Sequence, residues 1–292
     1  VEDSVPIMGV WAFETVPAGK SKRIQMPLFA SGLFSQDKVL PLRVLNNLVI
    51  ELELTPDKKS WISTAGDHSD DYDLTDISLK MDVLTLDPEI DSQIMSRIAD
   101  GVELPIPLRT FITTTQVIQA KDFNINLTRG LSKLVSLFVN FEGEPDASGA
   151  TKQGMVFHYP TEMEDQPEWQ LQIGTNKWPS YPVRGLAESY YRLRQAMATQ
   201  GSHLHSYNTS MATFRTKSYQ IAVDTEKEAS AAWTGEYMRS GQQIHMMCRH
   251  YGGRAPGAAA ADADIPHPTK AYMTLCAEVM LVISDAGISL VE

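Results

Sequence analysis

Only two cysteines occur in the 292 residues, Cys248 and Cys276, each beside apolar neighbours. That is too few for a disulfide framework, and the pair reads as reduced core residues or one opportunistic bridge. No stretch reaches the ~18 consecutive apolar residues that a membrane-spanning helix needs. Basic residues are scarce as well, with a net charge of −11. A surface that neutralises phosphates needs clustered Lys and Arg, and no such run is present. Lys20, Lys22 and Arg23 read as the solvated start of a strand, and no direct nucleic-acid binding is expected. Val1 to Pro6 lack the basic and apolar regions of a signal peptide, which predicts no secretion by that route. Without such a signal, the sequons at Asn126-Leu127-Thr128 and Asn208-Thr209-Ser210 are read as chance matches.

What is present is alternation. Hydrophobic residues make up 43% of the chain, ordinary for a globular protein, and the length suits two domains or one large all-β body. Sixteen Pro and eighteen Gly are scattered along it, as many short strands joined by turns would require. Leu48, Ile50, Leu52 and Leu54 alternate with Glu51, Glu53 and Thr55. Ile77, Leu79, Met81 and Val83 repeat the pattern, as do Phe123, Ile125 and Leu127. In the second half Tyr219, Ile221 and Val223 follow it, then Leu275, Ala277, Val279, Leu281 and Ile283. Strict alternation predicts strands with one buried face.

Two segments break the alternation. Asp87-Pro88-Glu89 supplies an N-cap, a proline at the first helical position and an acid in the first turn. Ile90, Ile94 and Ile98 follow at spacing four, ahead of Gly101, which predicts a helix over Asp87–Asp100. A second helix is predicted from Leu186 to Thr199, with Leu186, Tyr190, Leu193 and Met197 as its apolar stripe. Glu188 and Arg192 can pair there at i,i+4. The polar, turn-rich segment Glu142 to Ala150 marks the predicted domain boundary, dividing the chain into residues 1–145 and 146–292. The loops Asp57 to Asp73 and Gly252 to Pro268 lack any apolar period and are expected to face outward.

Candidate chemistry is sparse. Asp67, Asp70, Asp71 and Asp73 invite a calcium reading, but the loop lacks the EF-hand glycine and closing glutamate, and a solvated acidic loop fits better. His203 and His205, with His245, could supply three zinc ligands; the reading favoured here is exposed or hydrogen-bonded histidines. No nucleophile elbow and no glycine-rich phosphate loop is present. Trp169, Trp178 and Tyr181 could stack on a sugar, although such aromatics more often pack in the core. The sequence therefore predicts no catalytic residue, no metal and no cofactor.

Four stretches carry a resemblance. They are Arg23 to Leu42 running into Leu48–Leu54, Tyr72 to Leu79 leading into the first helix, Pro182 to Tyr191, and Ala277 to Glu292 with a turn at Ser284-Asp285-Ala286-Gly287. In this order the chain resembles the double jelly-roll major capsid proteins of icosahedral DNA viruses. The resemblance implies an all-β fold of two tandem antiparallel jelly rolls, residues 1–145 and 146–292, with about one helix in each half. It implies a homotrimeric, nearly hexagonal capsomer that tiles an icosahedral shell, located in the virion capsid and assembled inside the host cell. Its partners would be further copies of itself and minor capsid or penton proteins. Contact with an internal membrane has no support from Val1 to Lys20, which show no basic or amphipathic arm. A β-sandwich carbohydrate-binding protein or glycoside-active enzyme is the competing class, distinguished by a pocket of convergent polar groups. For subunit contacts, Tyr181 to Arg194 concentrates the aromatic and arginine side chains that dominate interfaces. Tyr191, Arg192 and Arg194 lie largely off the helix's apolar stripe and form the candidate interface. The plainer alternative is a helix that packs on its own sandwich and leaves its arginines in water.

Overall fold

The computed structural model describes residues 19–23, 32–33, 41, 43, 49–53, 73–131, 133–142, 166–198, 210–217, 219–226, 235–238, 242–252, 267–285 and 287–291. Strands within this set form two antiparallel sheets. Sheet A runs β1 (Leu104–Val117), β9 (Lys270–Ser284), β3 (Lys133–Glu142) and β6 (Gln220–Asp224). Two short strands add to it: β7 (Glu236–Tyr237) pairs with β3, and β10 (Gly287–Val291) pairs with β9. Sheet B runs β2 (Phe123–Thr128), β8 (Gln243–Arg249), β4 (Glu168–Ile173) and β5 (Asn176–Arg184).

The pairings are nested. β1 pairs with β9, β2 with β8, β3 with β6 and β4 with β5, as if one long hairpin had been wound across two sheets. Eight strands so arranged are a jelly roll. The inward residues of both sheets, among them Ile125, Leu137, Trp169, Leu171, Ile221, Ile244, Met246, Met273 and Leu275, meet in one core. At one end, Phe123, Phe141, Tyr219 and Tyr251 pack ring against ring, and the Tyr219 and Tyr251 hydroxyls share a buried hydrogen bond of 2.8 Å. Prolines mark the outer strands: Pro105 and Pro107 in β1, Pro179 and Pro182 in β5. A residue without an N–H is tolerated where the ladder ends.

The β class and the antiparallel sandwich agree with the sequence, and the jelly roll is complete between Leu104 and Val291. The predicted boundary between residues 145 and 146 requires correction. Strands on both sides of it share both sheets, since β1, β2 and β3 pair with β9, β8 and β6. A polar, turn-rich spacer signals a loop, and a loop does not reveal which strands pair across it. The strands expected at 48–55 and 77–83 also differ. Residues 49–53 and 73–86 make no ladder among the described residues, and Ile77 and Val83 are 72% and 71% exposed. Their alternation meets the local requirement of a strand, but a ladder also needs a partner.

The helices fall where capping and spacing put them. α1 spans Pro88–Ala99, the Asp87 carboxylate accepting from the Glu89 N–H at 3.0 Å, and Gly101 follows at φ 80°. Its Ile94 and Ile98 close a second, smaller core against Leu104, Ile106, Leu108, Val279, Leu281 and Ile283. α2 spans Gly185–Ala198 and lies against β6, burying Leu193 and half-burying Leu186, Tyr190 and Met197. A short α3, Met211–Lys217, was not anticipated. At seven residues it is below the length at which periodicity is informative, and its buried Phe214 packs between Tyr190 and Tyr219. The closing hairpin of β9 and β10 is present, with Ser284 opposite Gly287 at its turn.

Candidate subunit-contact surface

The candidate residues lie where β5 passes into α2. Gly185 makes the corner with φ 79°, its N–H donating to the Pro167 carbonyl at 3.2 Å. A Cβ there would sit 2.8 Å from the Gln166 side-chain oxygen, so the backbone conformation and the space both favour glycine. The helix is then fixed to sheet B by a buried chain of hydrogen bonds. The Trp169 indole N–H donates to the Ser189 hydroxyl at 3.1 Å, and that hydroxyl donates to the Gly185 carbonyl at 2.9 Å.

This anchoring leaves one face of α2 outward, with Ala187, Tyr191, Arg194 and Gln195 exposed. Tyr191 is 63% exposed, and Tyr181, at the end of β5, is 55% exposed. Arg184 is exposed while its Nε holds the Glu168 carboxylate at 2.7 Å. Arg192 is placed differently from Tyr191 and Arg194. It is half-buried along the helix flank, 3.8 Å from the Glu188 carboxylate at i,i+4, and reaches the Tyr181 hydroxyl at 3.5 Å and the Gln195 amide at 3.4 Å. Tyr191 and Arg194 thus stand free toward solvent, and Arg192 braces Tyr181. Sequence reasoning missed Tyr181 and Arg184 as members of this surface, although both lay in the aromatic- and arginine-rich span it had singled out.

The other candidates disperse. Trp169 is wholly buried and Trp178 packs on the core, so of the three aromatics considered for stacking only Tyr181 is exposed. His245 pairs with the Asn126 side chain on sheet B, whereas His203 and His205 lie outside the described residues. So do the acidic loop, apart from Asp73, and most of residues 252–268. Among the described residues, no group of three or more His, Cys, Asp or Glu is placed to hold a metal. No described helix is long and apolar enough to cross a membrane. Cys248 and Cys276 are both buried and form no disulfide, and burial raises the Cys248 thiol well above its usual range. The Tyr272 phenol is pushed up to about 12, chiefly because it donates to the Glu142 carboxylate at 2.6 Å. Burial raises the carboxyls of Asp224 and Glu226, the latter despite the nearby Arg109 guanidinium.

No protein-family model matches the chain, and no curated protein matches it in sequence. Solved structures do. The chain is similar to a subunit in a quasi-atomic model of the PBCV-1 virus capsid, at 12% identity over 68% of this chain and 54% of that one, with a TM-score of 0.41. It is similar to PBCV-1 VP54 as fitted into a reconstruction of the virophage Sputnik, at 11% identity over 70% and 54%, with a TM-score of 0.44. A chain of the Sputnik virophage itself matches at 11% identity over 64% and 38%, with a TM-score of 0.32. The match spans about half the length of the PBCV-1 subunits.

Proposed function

We propose that the chain is a structural coat subunit of an icosahedral virus, without catalysis, that forms homotrimeric capsomers. The observation that carries this reading is a complete jelly roll whose large apolar side chains are left outside in several places. Tyr181, Tyr191, Tyr237, Ile288, Leu290 and Val291 are exposed on the sandwich and its closing hairpin, and Leu74 to Leu84 extend the same character. Exposed apolar surface on that scale marks contact with other proteins, and a subunit that tiles a shell needs it on several sides. The acidic balance of the chain fits a coat whose genome contacts are made by other components.

In the tandem reading, Leu104–Val291 is one jelly roll and the chain before it belongs to the other. Tyr191, Arg192 and Arg194 belong to the trimer contact, Arg192 by holding Tyr181 in place. Neighbouring capsomers and minor capsid or penton proteins are the remaining partners, and the virion capsid is the location. Size-exclusion chromatography with light scattering tests the reading. Three times the 32.4 kDa chain mass, with larger shells at high concentration, is the expected result. A monomer at every concentration would remove it.

A further inference from the structure

β1 and β9 pair along the whole of β1, but their inward side chains are divided between two cores. Met273, Leu275 and Ala277 of β9 join the sandwich interior. Val279, Leu281 and Ile283, with Ile106 and Leu108 of β1, form the separate smaller cluster. Sheet B supplies none of its side chains. The cover comes from α1, through Ile94 and Ile98, and from Leu33, much earlier in the chain. Burial there is nearly complete, with Ile106 3% and Ile283 0% exposed.

The chain around Leu33 is held at two further points. Gly32 is buried against the backbone of β1, where a Cβ would stand 1.6 Å from the Arg109 carbonyl oxygen and 2.7 Å from the Arg109 nitrogen. Only glycine lets two backbones approach so closely. Further on, Arg43 forms an ion pair with Asp91 of α1. Residues 32–43 are thus fastened at one end to β1 and the smaller core, and at the other to α1. An exposed ion pair contributes little by itself, so Gly32 and Leu33 carry the contact and Arg43 sets its direction.

We infer that this smaller core is the joint of the subunit. The surface made by α1, β1 and β9 binds the part of the chain before α1, through residues 32–43, and holds it against the jelly roll Leu104–Val291. The inference rests on the tandem reading above and names the surface that joins its two units. α1 is then a clasp, with Ile94 and Ile98 turned to the core and Asp91 to the incoming segment. A capsomer with two rolls in each chain needs them at a fixed angle. Units joined only by a linker move relative to one another, whereas a packed apolar contact between them fixes the angle.

Hydrogen exchange read by mass spectrometry on the 292-residue chain tests this. Gly32→Ala places a methyl group where the Arg109 backbone stands, and Leu33→Ala removes cover from the smaller core. In each variant the amides of residues 94–99 and 279–283 are expected to exchange about 10-fold faster or more, because local opening there no longer breaks the contact. The amides of β3, β4 and β8 are expected to keep their wild-type rates. Gly130→Ala is the control, since a Cβ there meets nothing within 4 Å, and it should leave both sets unchanged. Wild-type exchange at residues 94–99 in both variants overturns the joint. An equal rise in β3, β4 and β8 also overturns it, because the contact would then belong to the sandwich itself. Should Gly32→Ala lose the far-UV β spectrum, Leu33→Ala decides by the same two results, and loss of the spectrum there too overturns the inference. A wild-type chain that is monomeric at every concentration defeats the coat reading and leaves these exchange results standing. A wild-type trimer whose exchange is indifferent to both variants defeats only the joint.

Discussion

Ser189→Ala is a small deletion with a large expected cost, because the hydroxyl it removes is fully enclosed. Ser189 is 1% exposed and Trp169 0%. The hydroxyl accepts from the indole N–H at 3.1 Å and donates to the Gly185 carbonyl at 2.9 Å. Without it the indole N–H is left in the core with no acceptor, which costs about 1–3 kcal/mol. Alanine's better helix propensity returns at most about 0.5 kcal/mol. The net loss is then about 0.5–2.5 kcal/mol, or a fall in Tm of roughly 1–10 °C for a domain of this size. Urea unfolding followed by tryptophan fluorescence measures the first quantity, and calorimetry the second. The argument assigns the cost to the orphaned indole, so Trp169→Phe provides the control. In that background Ser189→Ala should cost at least about 1 kcal/mol less, a coupling readily resolved by a double-mutant cycle. Additive effects, or a single-mutant loss below about 0.5 kcal/mol, would refute the reasoning. Since the same bonds fix α2 to sheet B, Ser189→Ala should also weaken the proposed trimer without altering any exposed residue.

Three other outcomes are expected. Gln116→Ala uncovers the peptide groups of Asn124 and Asn126 on the outer edge of β2, and an uncovered edge recruits other chains; aggregation under mild heating should be faster than for the wild type, and an unchanged rate would count against the edge role. The Tyr272 phenol, pushed up to about 12 from the usual 10.0 of a tyrosine, holds its proton more tightly when folded. The associated stability is fully present below about pH 10 and is lost as pH rises toward 12; unfolding between pH 9 and 12 should therefore be less steep in Tyr272→Phe than in the wild type, and equal slopes would refute the linkage. Both cysteines are buried and the Cys248 thiol is raised by burial, which suppresses the reactive thiolate; a thiol reagent should label the native chain only at the rate of unfolding, and rapid labelling of either residue would contradict the placement.

Local signals were legible in the sequence where one short stretch suffices to satisfy them. The Asp87 cap, Pro88 and Gly101 determined α1 almost to the residue, because capping and the backbone preferences of proline and glycine act over three or four positions. The spacing of Leu186, Tyr190, Leu193 and Met197 likewise gave α2 its buried stripe, and with it the outward position of Tyr191 and Arg194. Alternation identified β2, β6 and the long β9. What the tertiary structure decided was partnership. Alternation makes a strand possible but does not say what it pairs with, and the same pattern yielded the central β9 in one place and the exposed stretch Ile77–Val83 in another. The nested pairing of β1 with β9 and β2 with β8 joins residues about 120 to 180 positions apart, which no local signal encodes, and for that reason the polar spacer at 142–150 passed for a boundary. Arg192 illustrates the same limit at the candidate surface. Its place on the helix predicted exposure, but it lies half-buried along the flank, 3.8 Å from the expected partner Glu188 and 3.5 Å from the hydroxyl of Tyr181 on the preceding strand, a neighbour supplied by the fold.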